Sequence, residues 1–210
     1  MAGDSALKEL RKDTEKTIAK EDFFVDCLGF KPTVDKSNAK IELGGPVTLK
    51  ATAEAGITRI SLAPKGTDYF FPWVNRGVGE VEVPVGAPDG TIVVTGGMNG
   101  CSLHVTRDDK VLRFYHDADS KYLADFKRAK GDKLCRVEPS LYMKIPAGKT
   151  IVEENPKEGL AFLYQMLCVR HAKRWKVVYS GIIIGPGIKM PLKRSFTPGV
   201  SKLLTSFAED

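Results

Sequence analysis

A thiol and an imidazole flank one hairpin-like stretch of this chain, Asn99-Gly-Cys-Ser-Leu-His-Val-Thr-Arg-Asp-Asp-Lys-Val-Leu-Arg-Phe-Tyr-His116. With Asp108-Asp109 as the turn, or with a four-residue loop from Arg107 to Lys110, Cys101 is expected directly opposite His116. Opposed residues of an antiparallel pair have Cβ atoms roughly 5 Å apart, close enough for an imidazole to deprotonate a thiol. A thiolate beside an imidazole is the minimum equipment for covalent acyl chemistry.

The alternation along this stretch fits the geometry. Side chains two apart share a face of a strand. Cys101, Leu103 and Val105 therefore point the same way, and His116, Phe114 and Leu112 lie on that face too. Ser102, His104, Thr106, Val111, Arg113 and Tyr115 make up the other, mostly polar face. A loop of odd length would break the register and turn one partner away.

The approach to the cysteine also carries chemistry. A strand, Thr91-Ile-Val-Val-Thr95, ends in Gly-Gly-Met-Asn-Gly, which delivers Cys101. Glycine permits backbone conformations closed to other residues and lets a substrate approach main-chain N–H groups. Such a loop can aim the amides of Cys101 and a neighbour at a developing oxyanion, usually the largest single catalytic contribution.

In the order Thr95, Cys101, His116, with six residues from Thr to Cys and fifteen from Cys to His, the chain resembles the glutamine deamidases. That group includes the cytotoxic necrotizing factors, Burkholderia lethal factor and the chemoreceptor deamidases. A further likeness is Ser180-Gly-Ile-Ile-Ile-Gly185, similar to a late strand of those toxins. The departure is the loop: Met98-Asn99-Gly100-Cys101 stands where the toxins have Leu-Ser-Gly-Cys. The resemblance implies a Thr-Cys-His triad in which His116 activates Cys101 and Thr95 orients His116, with the amides of Cys101 and Gly100, beside Asn99, as the oxyanion donors. It implies a glutamine side chain of a target protein as substrate, with ammonia released and no cofactor or metal. The alternatives are a cysteine protease or a transglutaminase with the same dyad, or a non-catalytic β-sandwich binding module. Active chemistry predicts a low pKa and rapid alkylation at Cys101.

Other residues invite roles. Asp117 or Asp119 is an alternative to Thr95 for holding the second ring nitrogen of His116. Tyr69, Trp73 and Tyr115 are candidate walls of a substrate groove. His171 could pair with Cys168 only on a helix, and His104 is expected in solvent. Cys27, Cys135 and Cys168 read as small core residues. No cysteine stands in a CxxC pair, so neither a zinc site nor a disulfide scaffold is expected.

The elements that must position these residues read as mostly strands: Val47–Ala53, Ile57–Ala63, Val78–Val83, Thr91–Thr95, Ser102–Thr106 and Val111–Tyr115. A second hairpin joins Leu160–Val169 to Trp175–Ile184 around His171–Arg174. Helix is expected from a Ser5 cap through Leu7, Leu10 and Ile18, lying on the surface or frayed. It is expected again over Asp119–Ala129 and Val200–Phe207, with a polar connection over Lys31–Ala39 and a Pro/Gly-rich tail from Gly185. The expected fold is a mixed α/β (α+β) sandwich flanked by helices. An N-terminal helical segment, 1–30, packs on a catalytic β-sandwich, 31–210, in one domain.

Composition narrows the function class. The chain has 210 residues, 42% hydrophobic, and a formal charge of +6. Its 32 basic residues are scattered among 26 acidic ones with no dense run, which argues against nucleic acid as partner. No segment is long and apolar enough to be expected in a membrane. The opening Met1–Asp13 lacks the apolar core of a cleavable signal. Taken with the resemblance to the deamidase toxins, this implies a monomeric bacterial toxin or effector, exported without such a signal and acting on a host protein in the host cytosol. The alternative is an enzyme of the bacterial cytoplasm.

Overall fold

In the computed structural model the described residues are 3–27, 30, 41–54, 57–127, 129–143, 161–184, 193–194 and 202–210. The expected connection over 31–39 and the tail from Gly185 fall largely outside them. Period-2 burial builds the first sheet. In β3 (Gly45–Glu54) Val47, Leu49 and Ala51 are buried while Thr48, Lys50 and Thr52 are exposed, the pattern of a strand wet on one face. β7 (Ile92–Gly97) is apolar at successive positions and buried on both faces, as a central strand must be.

The larger sheet has nine strands. Its path runs β1 (Asp22–Asp26), β4 (Ile57–Pro64), β3, β5 (Asp68–Phe71), β7, β11 (Ala161–His171), β12 (Arg174–Ile184) and β13 (Lys193–Arg194), and β14 (Lys202–Ala208) also pairs with β12. The smaller sheet runs β10 (Asp132–Val137), β8 (Ser102–Asp108), β9 (Val111–Asp117), β6 (Val78–Pro84) and β2 (Ile41–Leu43). Phe71, Val93, Cys168 and Trp175 of the first sheet and Leu103, Val105 and Phe114 of the second fill the core between them. On the outer face, Ile92, Val94 and Leu167 pack with Leu7, Leu10 and Ile18. Those three residues belong to α1 (Gly3–Lys12) and α2 (Thr14–Ile18). The molecule is a mixed β-sandwich with helices on one flank.

Several expectations are corrected. Ser5 lies inside α1 rather than at its cap, and the helix is docked, with Leu7 and Leu10 buried. The cap in this region is Asp13, whose side chain accepts from Lys16 N at 3.2 Å. The helix expected over Val200–Phe207 does not form among its described residues, 202–207. They belong to the strand β14, because pairing along β12 carries Phe207 into the core between the sheets. Over Asp119–Ala129 only a 3-10 turn (Ala118–Ser120) and α3 (Tyr122–Asp125) form, since Asp119 and Ser120 both take left-handed φ, 51° and 58°. β1 lies inside the segment 1–30 expected to be helical; it is instead a strand paired in parallel with β4, and β2, β5, β10 and β13 had no expectation in the sequence.

The central hairpin forms with a different register. Its turn is Asp109-Lys110, with Asp109 at φ 55°, a region that Asp tolerates better than most residues. Asp108 pairs with Val111, and Leu103, not Cys101, stands opposite His116. The displacement is two residues. An even displacement keeps every side chain on its face, so the core-facing set survives while the direct opposition does not.

Candidate active site

Three elements bring the site together. Phe71 ends β5 and pairs in parallel with Thr95 of β7. Thr95 Oγ1 donates to the Phe71 carbonyl at 2.7 Å, which commits its only proton. His116 Nδ1 lies 2.7 Å from the same oxygen. Thr95 must therefore accept there, so Nδ1 carries the hydrogen and Nε2 carries a lone pair. Nε2 is buried and has no hydrogen-bond partner among the described residues. A chain of one carbonyl, one hydroxyl and one imidazole thus fixes the tautomer a general base needs. The ring is held edge-on by Phe71, centroids 6.3 Å apart. Gly79 pairs with His116 from β6; a Cβ there would fall 1.6 Å from the Pro72 carbonyl, so only glycine lets the Phe71–Pro72 backbone pass so close.

Cys101 comes from the turn before β8. Gly100 has φ +80° and Cys101 N–H donates to the Met98 carbonyl at 2.7 Å, features of a type II turn, in which glycine meets the demand for positive φ. One residue ahead of β8, Cys101 lies diagonal to His116 on the shared face, a Cβ separation of roughly 7 Å. No hydrogen bond joins them. The thiol instead points at the Asn99 carbonyl, Sγ to O 3.8 Å. The expected direct thiol–imidazole contact is absent from this conformation.

Electrostatics match a resting state. Burial pushes the Cys101 thiol up to about 11, outweighing hydrogen bonds from the Asp119 backbone and the Trp73 side chain. Burial alone pulls His116 down to about 3. Both groups are neutral near pH 7, so the expected low thiol pKa is corrected. Cys101 is 2% exposed and His116 not exposed at all. The turn amides are also occupied: Cys101 N–H is used within the turn, and Gly100 N–H faces Met143 Sδ at 3.3 Å. Neither is the open oxyanion donor expected of it. Asn99 Oδ1 accepts from Tyr164 N at 2.8 Å, tying the loop to β11.

The remaining candidates separate. Trp73 is partly buried against the core between the sheets, and its side chain acts to lower the Cys101 pKa. Tyr69 packs at the margin of the core between the sheets. Tyr115 is fully buried on the opposite face of the small sheet with Val78 and Leu123, so it lines no groove. Asp117 does not hold His116. Its carboxylate accepts from Leu123 N at 3.0 Å and lies 3.7 Å from His104 Nε2. Asp119 contributes its backbone to Cys101, not its carboxylate to His116. His104 is 12% exposed by side chain and lies 2.8 Å from Ser102 Oγ, so it is not in solvent. His171 bonds to Thr14 Oγ1 at 3.0 Å, away from Cys168. All four cysteines are free, and no metal-holding group of side chains occurs among the described residues.

Two contributors gave no sequence signal. Phe71 acts through its carbonyl, which any residue supplies. Tyr142 ends α4 (Pro139–Tyr142) forty-one residues beyond Cys101, and its hydroxyl donates to the carbonyls of Met98 and, at 2.7 Å, Cys101. No protein-family model matches the chain, and no curated protein matches it. One solved structure with some likeness is the C-terminal domain of CNFy from Yersinia pseudotuberculosis, at 11% identity and a TM-score of 0.31. That match covers 65% of this chain and 62% of that one, so it spans less than two thirds of the domain. A likeness this slight carries neither the fold nor the activity.

Proposed function

We propose that the protein is a cysteine-dependent amidohydrolase that converts a glutamine side chain of a target protein to glutamate. The observation that carries this reading is the fixed tautomer of His116: Nδ1–H bound to Thr95, and a bare Nε2 on the same core face as Cys101. The Thr95, Cys101, His116 order, shared with glutamine deamidases, favours a side-chain amide as substrate. A bacterial toxin or effector working inside a host cell is the context that goes with it.

The chemistry begins when the Ala118–Lys121 turn and Trp73 part to admit a carboxamide. Rotation about the Cys101 Cα–Cβ bond then brings Sγ to Nε2. The proton passes from Sγ to Nε2 as sulfur bonds to the carboxamide carbon. On this reading the oxyanion is taken by the Asp119 amide and the Trp73 indole N–H, the two groups whose hydrogen bonding favours charge on Cys101. The C–N bond breaks as Nε2 returns its proton to nitrogen, and ammonia leaves. Water then attacks the thioester, losing its proton to Nε2, and the carboxylic acid departs as the thiol is restored. An amine arriving before water would give transglutamination instead.

The test uses wild-type protein and a Cys101→Ala variant in a cytosolic extract, with mass spectrometry scoring glutamine-to-glutamate conversion and new peptide ends. Conversion at one or a few glutamines is expected with the wild type and not with the variant. New termini that depend on Cys101 would make the protein a protease. No Cys101-dependent change of either kind would point to a binding module.

A further inference from the structure

The nucleophile's turn is fastened from one side by a single buried hydroxyl. Tyr142 is fully buried, and its Oη donates to the carbonyls of Met98 and Cys101, the first and last residues of the turn. One phenolic proton is shared between two acceptors, so the hydroxyl spans the turn as a brace. The rest of the turn is held from β11: Met98 N–H donates to Tyr164 O at 2.7 Å and Tyr164 N–H to Asn99 Oδ1. The rings of Tyr142 and Tyr164 meet edge-on with centroids 5.8 Å apart, so the brace and the anchor support each other. Ser120 Oγ donates to Gly100 O at 3.2 Å from the far side.

These contacts hold the peptide planes on both sides of Cys101, through the Gly100 and Cys101 carbonyls, and so the direction of the Cys101 Cα–Cβ bond. We propose that Tyr142 is a positioning residue that holds Cys101 on the face it shares with His116, from which rotation about Cα–Cβ carries the sulfur to Nε2, a role that rests on the deamidase reading of the site. Both acceptors are carbonyls, so the phenol works only while protonated. Burial pushes its ionisation well above the ordinary tyrosine range.

The experiment compares wild type with Tyr142→Phe, which keeps the ring packing and removes only the hydroxyl. Iodoacetamide labelling at Cys101 is scored by mass spectrometry against Cys135, a buried thiol of the same core. The expected result is a several-fold rise in the Cys101-to-Cys135 labelling ratio with a fall of about tenfold in glutamine conversion, the scale of one lost hydrogen bond. General loosening would raise both thiols together. An unchanged ratio, or a common rise, overturns the proposal. If Tyr142→Phe does not fold, 3-fluorotyrosine placed at position 142 makes a stronger donor. The labelling ratio must then fall, and no change overturns the proposal. Absence of Cys101-dependent conversion in the wild type sinks the deamidase reading alone, because the labelling ratio judges Tyr142 without it.

Discussion

At the scale of single residues, the resting site holds two neutral partners rather than an ion pair. Cys101 labelling by iodoacetamide is therefore expected to keep rising from pH 7 through pH 10, following a thiol pushed up to about 11. A plateau near neutrality, measured peptide by peptide, would instead show a preformed thiolate beside an imidazolium. His116 leaves a second signature. Its pKa falls on folding to about 3, so the unfolded chain binds the extra proton between the ordinary 6.5 and that value. Its stabilising contribution is complete above pH 6.5 and drains as pH falls, at about 1.4 kcal/mol per pH unit. His116→Gln is expected to remove that slope between pH 6 and 4 in urea titrations. His104, lowered to about 4 by burial and by nearby Arg136 and Lys133, leaves a slope of the same sign in both proteins. An equal acid slope in wild type and variant would mean that His116 titrates freely. These residues were legible because thiol and imidazole are rare types placed by a strand period. Phe71 and Tyr142 were not: one supplies a backbone atom, the other comes from a distant turn.

At the scale of elements, the hairpin shows how far strand arithmetic reaches. Parity assigned Cys101, Leu103, Val105, Leu112, Phe114 and His116 to one face, and Leu103, Val105, Leu112, Phe114 and His116 are fully buried. The choice of turn was beyond it, because Asp108-Asp109 and Asp109-Lys110 differ only in which aspartate accepts the left-handed φ. The strands flanking the site depend on close backbone approach, which no hydrophobic pattern records. Gly79 is the clearest case. Gly79→Ala is expected to cost more than about 3 kcal/mol, beyond ordinary overpacking, because its new methyl meets the Pro72 carbonyl, which cannot swing aside as a side chain could. Chemical denaturation would measure the loss. A near-neutral result would mean that β6 can move away from Pro72 without disturbing His116. The segment Val200–Phe207 makes the opposite point: its apolar residues suit a helix face, and pairing with β12 overrides that preference.

At the scale of the whole molecule, the two sheets are latched near the end of the described chain. Glu209 accepts from Arg170 Nε at 2.7 Å and Nη2 at 3.0 Å, and from the Trp175 indole at 2.9 Å. Its backbone carbonyl accepts from Arg107 of the small sheet at 2.8 Å. Glu209→Gln is expected to cost about 3 kcal/mol by leaving a buried guanidinium short of charge, read as a lower denaturation midpoint. Burial alone would raise the Glu209 pKa, but the bonds from Arg170 and Trp175 lower it. Its contribution is thus present above the ordinary carboxylate pKa and is lost below it, a second acid step beneath the histidine one. An unaltered midpoint would assign the latch to Asp89, which meets Arg170 Nη1 at 2.5 Å. The closure of the sandwich over Cys101 has one more consequence. Peroxide attacks the exposed thiolate far faster than the thiol, and here the sulfur is neither ionised nor exposed. The fold that buries Cys101 also shelters its sulfur from oxidants, so, if the proposed export takes place, the protein would cross an oxidising space with that thiol intact.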